Sequence, residues 1–355
     1  MRSRVILLIF ALLLLGLVLR LGLGPGLGPL LPSPTREHAG AGLGYPIAAA
    51  RGNGNGYTLS RPLAKRVEFQ ATWTNLGPGA IQDLHIYVAV PPTLPEQELF
   101  RLTWSPEPSR YLRDRYGQEI ADFEVGTLGP GGAVTIEFTA VGRFWRIKYD
   151  INPDEVGSLD EIPEEIARLY LADGPYYRIS DPLIVATARQ AVGEERNPYL
   201  MALKIHDFVA ETLDYKLDGQ WDDAPTVLRQ GSGSCSEFTF LFIALARAAG
   251  LPARYAGGSV YIPSQAWGGR FVDRYNHRWP EVYLPGYGWV PFDPTWDHPQ
   301  SDGPVSHEYA GSHGYALVFD RGDLDERYLG ISYIDTANGG PAELAEKREV
   351  VWSGP

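Results

Sequence analysis

The chain has 355 residues, 44% hydrophobic and 21% charged, a balance that fits a folded globular protein and not a disordered or fibrous one. Its formal charge of −12 is uneven: the first 50 residues carry four Arg against one Glu, leaving −15 on the remainder. With no basic stripe, that acidity argues against a nucleic-acid partner. The single cysteine, Cys235, cannot staple its own chain, so the fold rests on its core, and the length suits two domains.

Arg2 and Arg4 precede an uncharged apolar run, Val5–Leu19, that ends at Arg20. This is the layout of a signal peptide's basic and apolar regions. The run is short for a membrane span, which needs roughly 20 residues, although Leu21–Leu23 extend it past Arg20. No cysteine follows it, which excludes a lipid-anchored lipoprotein. Residues 1–23 are therefore expected to be a signal peptide or an N-terminal membrane anchor. The protein is expected outside the cytoplasm, secreted or held at the membrane by this segment. Residues 24–56, rich in Gly and Pro and ending in RGNGNG, read as a flexible tether.

Alternating segments follow. Val67, Phe69, Ala71 and Trp73 make one apolar face, Leu84, Ile86, Val88 and Val90 a second, and Val134, Ile136 and Phe138 a third. Turn clusters at Asn75–Gly79 and Gly129–Gly132 separate some of them. Residues 57–150 thus predict an all-β, sandwich-like domain without evident chemistry. Residues 151–180 form an acidic, partly helical connector. Ser180-Asp181-Pro182 starts a helix that Gly193 stops, and Asn197-Pro198 opens the next. Residues 181–330 are expected to form an α+β core, with strands at 253–261, 278–284, 289–293 and 315–319. Residues 331–355 are expected to be a C-terminal tail.

Chemistry is concentrated in the core. In the run GSGSCSEFTFLFIALARAAGLPAR, Phe238, Leu241, Phe242, Leu245 and Ala249 recur at helical spacing, and Gly250 with Pro252 ends the helix. Ser234 or Ser236 can cap its start, placing Cys235 in or beside the first turn. Free backbone N–H groups and the helix dipole favour an anion there, and the thiolate is the reactive form of cysteine. The Gly231-Ser232-Gly233 turn is expected to leave backbone room for a substrate, with Gly233, Ser234 and Trp279 as cleft candidates.

His277 and Asp293 lie on two strand-like runs around Pro285-Gly286-Tyr287-Gly288. A hairpin centred on Pro285 sets them directly opposite, on one face, with Cβ atoms ~5 Å apart. A carboxylate at that range orients and charges an imidazole, as in a nucleophile–base–acid triad. Pro280 removes a ladder donor, so its strand is expected to be an edge or to carry a bulge.

The order Cys, His, Asp, within GSGSCSEFTFLFIALARAAGLPARYAGG and NHRWPEVYLPGYGWVPFDPT, resembles the transglutaminase-like superfamily over roughly residues 180–300. That resemblance implies a papain-like fold, in which a Cys-bearing helix packs on an antiparallel sheet carrying His and Asp. It implies Cys235 as nucleophile, His277 as general base and acid, and Asp293 as orienter. Arg254, Gly257, Trp279, Glu281, Trp289 and Pro294 match framework positions. A β-domain like residues 57–150 also precedes this core in bacterial members.

The backbone N–H of Cys235 is the first oxyanion donor to consider, and Tyr215 and Trp221 are the side-chain candidates for the second. Asp297, His298, His307 and His313 fit no zinc or EF-hand spacing and are expected to be solvated loop residues. No metal or cofactor is expected. The activity that the resemblance implies is thioester-forming hydrolysis of a peptide or carboxamide, with a peptide or protein, of the cell envelope or elsewhere, as substrate. The alternatives are a non-catalytic binding or scaffold module and a protein-crosslinking acyltransferase.

Overall fold

The computed structural model describes residues 56–298, 310–312, 314–323, 332–336 and 344–355. The expected signal or anchor segment, the tether up to residue 55, and His307 and His313 lie outside these. No helix among the described residues is long and apolar enough to cross a membrane.

The chain opens with a run of strands: β1 (Tyr57–Leu59), β2 (Leu63–Asn75), β3 (Ile81–Ala89), β4 (Gln97–Ser105), β5 (Arg110–Arg113), β6 (Glu119–Leu128), β7 (Ala133–Phe144) and β8 (Ile147–Tyr149). Helices follow: α1 (Glu164–Tyr170), α2 (Pro182–Val192) and α3 (Pro198–Thr212). A short strand β9 (Asp214–Tyr215) leads to α4 (Ala224–Gln230), β10 (Ser232–Gly233) and α5 (Cys235–Ala248). The remainder is again extended: β11 (Ala253–Tyr261), β12 (Phe271–Asp273), β13 (His277–Leu284), β14 (Gly288–Pro291), β15 (Tyr315–Gly322), β16 (Ser332–Asp335) and β17 (Leu344–Ser353).

The β-domain is a sandwich. One sheet runs β12-β17-β2-β7-β4 and the other β16-β3-β6-β5. Alternation on β2 and β3 drives it, since Val67, Phe69, Ala71, Trp73, Leu84, Ile86 and Val88 point into one shared, fully buried core. Trp104 of one sheet meets Phe123 of the other at 5.5 Å between ring centres.

This sandwich does not end at residue 150. Residues 331–355, expected as a tail, supply β16, which pairs with β3, and β17, which lies between β2 and β12. Only Val350 and Trp352 of β17 are fully buried, and Ala345, Glu346 and Lys347 are exposed. Half a strand without apolar alternation hides from pattern reading. The core is therefore an insertion between strands of the sandwich.

The second layer pairing is helix on sheet. Strands β14-β13-β11-β15 form an antiparallel sheet against which α5 packs, with α2, α3 and α4 around it. Phe238, Phe240, Leu241, Phe242 and Leu245 of α5 are fully buried. At about 1.5–3 kcal/mol each, their burial outweighs the ~1 kcal/mol of a helix cap, so the core fixes where Cys235 stands. Asp181 caps α2 by accepting from the Leu183 N–H, and Asn197 caps α3 from Tyr199 and Leu200.

A buried ion chain joins the two layers. Glu96 of the β-domain pairs with Arg321, Arg321 with Glu281 at 2.8 Å, and Glu281 with Arg254 at 2.6 Å. Arg254 lies over the Trp289 ring at 4.2 Å. Three of the framework matches, Arg254, Glu281 and Trp289, are thus one cluster. Such chains add little net stability, but removing one member strands a buried charge at about 3–5 kcal/mol.

Candidate active site

The helix start comes first. Ser234 precedes α5, and both its N–H and its Oγ donate to Glu237 Oε2, at 2.8 and 2.6 Å. A Cβ on Gly233 would lie 2.4 Å from the Glu237 Cβ, so glycine alone fits there. Gly231 ends α4 at φ 67°, a left-handed conformation that glycine takes freely. The Gly-Ser run therefore serves the tight α4–α5 passage. Gly233 and Ser234, expected as cleft residues, are buried and turned to Glu237. What they deliver to the cleft is Cys235, partly exposed, as the first residue of α5, beside N–H groups that have no intrahelical partner.

His277 Nε2 and Asp293 Oδ2 lie 2.6 Å apart. The expected register is corrected by two residues. Leu284 pairs with Gly288, leaving Pro285, Gly286 and Tyr287 as the loop, so the hairpin centres on Gly286 and not on Pro285. Asp293 then falls past the end of β14 and approaches His277 diagonally. A shift of two keeps the face, which is why the contact survives. Nor is β13 an edge, because it sits between β11 and β14. Pro280 is tolerated where the β14 ladder finishes, and its carbonyl accepts the Phe292 N–H at 2.9 Å.

The ring has a second partner. Burial opposes charge on His277, but the Asp293 carboxylate and hydrogen bonding to both Asp293 and Cys235 outweigh it and raise the pKa to about 10. With Nε2 taken by Asp293, Nδ1 is the nitrogen left for the thiol. Trp279 stacks on the His277 ring at 5.8 Å and 23°, and Trp296 lies against it at 5.6 Å. Together with Val260, Ser312 and Ala316 they line a pocket open to solvent beside the imidazole. Trp279, one of the cleft candidates, lies on this pocket, and Trp296 was unread because a Trp in a Pro-containing turn has no periodicity to reveal it.

The two oxyanion candidates part company. Tyr215 of β9 pairs with Gly233 of β10, and the Lys216 N–H donates to the Gly233 carbonyl at 2.8 Å. Burial first, then the negative charge of Cys235 and Glu237, push the Tyr215 phenol up to about 12. It stays a proton donor at neutral pH and lies within electrostatic reach of the thiol. Trp221 instead packs edge-on against Tyr176 and Phe240, each at 5.6 Å.

Two charged groups escaped the sequence reading. Arg278 and Asp320 flank Gly257 on the neighbouring strands, and a Cβ on Gly257 would meet Asp320 Oδ1 at 2.5 Å. Arg278 is buried; its Nη1 donates to the His277 carbonyl at 2.9 Å, and Tyr255, Asp320 and Cys235 all favour its charge against the cost of burial. Asp297 and His298, expected to be solvated, are buried. Asp297 Oδ2 lies 3.0 Å from His206 Nε2, with side chains 2% and 1% exposed. The Asp297 N–H also donates to the Asp293 carbonyl at 3.3 Å, which ties the Asp293 turn to α3. A one-dimensional reading had no signal for a partner 91 positions away.

Residues 185–294 match the model of the transglutaminase-like superfamily. They belong to that superfamily. A curated relative, an uncharacterized protein of Haemophilus influenzae, is 32% identical over 143 residues, which is 35% of this chain and 38% of that protein. Another, the uncharacterized protein YebA of Bacillus subtilis, is 36% identical over 69 residues, 18% of this chain and 9% of that protein. The matched region is thus well under half of either relative. Among solved structures, a proposed cysteine protease from Cytophaga hutchinsonii superposes with a TM-score of 0.58 at 17% identity, covering 83% of this chain and 91% of that one. At that identity the likeness is one of fold, and it spans both the sandwich and the transglutaminase-like core.

Proposed function

We propose that the protein is a cysteine hydrolase of peptide or carboxamide bonds acting through an acyl-thioester on Cys235. The observation that carries this reading is the His277 ring, held between the Asp293 carboxylate at 2.6 Å and the thiol at the start of α5. His277, already charged at neutral pH, stabilises the thiolate, which attacks the carbonyl carbon. The tetrahedral oxyanion is met by the Cys235 N–H and the Tyr215 hydroxyl. His277 then protonates the leaving nitrogen as the C–N bond breaks, and Asp293 stabilises the charged ring throughout. Water, deprotonated by His277, attacks the thioester and frees the acid and the thiol.

A peptide of the cell envelope is the substrate class favoured by the N-terminal sequence. Arg2, Arg4 and the Val5–Leu19 run support export or membrane anchoring and hence work outside the cytoplasm. The test is incubation with a library of Gln- and amide-containing peptides, followed by mass analysis of the intact protein. An acyl adduct on Cys235 that water resolves supports hydrolysis, and one that only an added amine resolves supports crosslinking. No adduct with any amide, and no labelling by an electrophilic acyl-amide probe, would leave a non-catalytic scaffold as the better account.

A further inference from the structure

The turn that presents His277 is tied to the last strand of the sandwich by a line of hydrogen bonds that is exposed at the turn and buried at Trp352. Asp273 closes β12, and its Oδ1 accepts the N–H of Tyr275 at 3.1 Å and of Asn276 at 2.9 Å. This Asx-type turn delivers the chain into His277 with Asn276 left-handed at φ 54°. The other oxygen, Asp273 Oδ2, accepts the Ser259 hydroxyl at 2.7 Å. Ser259 Oγ in turn accepts the indole N–H of Trp352 at 2.8 Å, and both residues are fully buried. Trp352 belongs to β17, opposite Phe271 of β12, with its ring against Phe144 and Tyr261.

Tyr275 at the tip of this turn is 74% exposed, whereas Asn276 beside it is buried. The hydrogen bonds of Asp273 hold the turn from beneath, next to the ladder that pairs His277 with Gly258. A carboxylate held on both oxygens has one arrangement; one held on a single oxygen can rotate about its χ2 and let the turn move with it. His277 must satisfy Asp293 and Cys235 at once, a demand on the order of 0.5 Å.

We propose that Trp352, Ser259 and Asp273 are positioning residues for His277, and that the sandwich holds the base in place over Cys235 through them. This rests on reading His277 as the base, and it gives the β-domain a part in the chemistry beyond carrying the core.

The experiment compares Trp352→Phe, Ser259→Ala and Asp273→Asn with Val88→Ala, a sandwich-core change remote from the relay, all in the full chain. Trp352→Phe removes the indole N–H and keeps an aromatic ring in place. Two readouts are taken: the titration of the His277 ring by NMR, and the rate of Cys235 alkylation by iodoacetamide against pH. The charged groups facing the ring are Asp293 and Cys235, neither of which is altered. In the relay variants the His277 midpoint falls by about one unit or more, and alkylation at neutral pH slows about tenfold. In Val88→Ala both stay as in wild type even where its unfolding midpoint drops as far. Wild-type titration and alkylation in the relay variants would overturn the proposal. The NMR readout judges it whether or not the protein turns over any amide, so its failure is separable from that of the hydrolase reading. Should Trp352→Phe fail to fold, Ser259→Ala and Asp273→Asn decide the matter.

Discussion

The Asp293 carboxylate reaches His277 Nε2 at 2.6 Å from a turn, two residues beyond Pro291, where β14 ends. Its other oxygen accepts the Trp296 N–H at 3.3 Å, so the group that orients the imidazole is itself oriented. That arrangement leaves one ring nitrogen for the thiol and fixes which one.

Loss of any member of this set is expected to be severe and far from additive. Cys235→Ala should abolish acyl-enzyme formation with the fold intact, as Ala is tolerated early in a helix. His277→Ala should come close to it. Asp293→Ala should cost about 10²–10⁴-fold, and Asp293→Asn as much or more by favouring the wrong tautomer. The double variant His277→Ala/Asp293→Ala should be little worse than His277→Ala alone. Single-turnover acylation rates check all five, and wild-type rates in the three single alanine variants would refute the assignment.

Stability should fall with pH through the His277 titration. The folded pKa, about 10, lies above the ordinary value of 6.5. The native state therefore holds more protons than the unfolded chain between these two values, and stability declines as pH rises across them. The contribution is complete below about 6.5 and gone above about 10. Urea midpoints of wild type and His277→Gln should accordingly converge from pH 6.5 to 10. A gap that does not change with pH would mean the ring carries no shifted proton.

Tyr215→Phe should lower kcat by about 10²–10³-fold with little change in KM, the signature of a lost oxyanion donor. Trp221→Phe should act weakly on kcat, because its indole packs on Tyr176 and Phe240. Equal effects of the two changes would remove the distinction between them.

The His206–Asp297 pair should matter to stability more than its distance from Cys235 suggests. Asp297→Ala takes from the buried His206 one of its two carboxylates, Asp207 remaining on Nδ1 at 3.1 Å, and should cost about 1–3 kcal/mol in chemical denaturation. The double variant His206→Leu/Asp297→Ala should recover part of that loss. If Asp297→Ala unfolds at the wild-type midpoint, the pair is not holding the Asp293 turn.

Local signals explain what the sequence made legible. Ser234 before Cys235, the apolar spacing of α5 and the Gly250 stop are all within one helix, and each acts over four residues or fewer. The His277–Asp293 contact was readable because both residues flank one turn, and a loop of three residues in place of a wider one changed its register but not its face. Asp297, by contrast, is buried by α3, and Trp352 is bonded to Ser259, across 93 positions. Such pairings leave no periodicity in the chain. β17 is the clearest case, because its charged first half reads as solvent-facing tail while its backbone pairs with β2 from Leu344 to Ser353.

That pairing also sets an order of assembly. β2 emerges from the ribosome early and must wait for β17, with every residue from 76 to 343 made in between. Until then one edge of β2 is unsatisfied, a hazard that favours chaperone protection of the nascent chain. Cys235 and its helix are complete long before, yet the turn before His277 has no Trp352 to lean on. If the relay positions His277, the thiol of a chain cut short before residue 344 should react about tenfold more slowly than that of the finished chain.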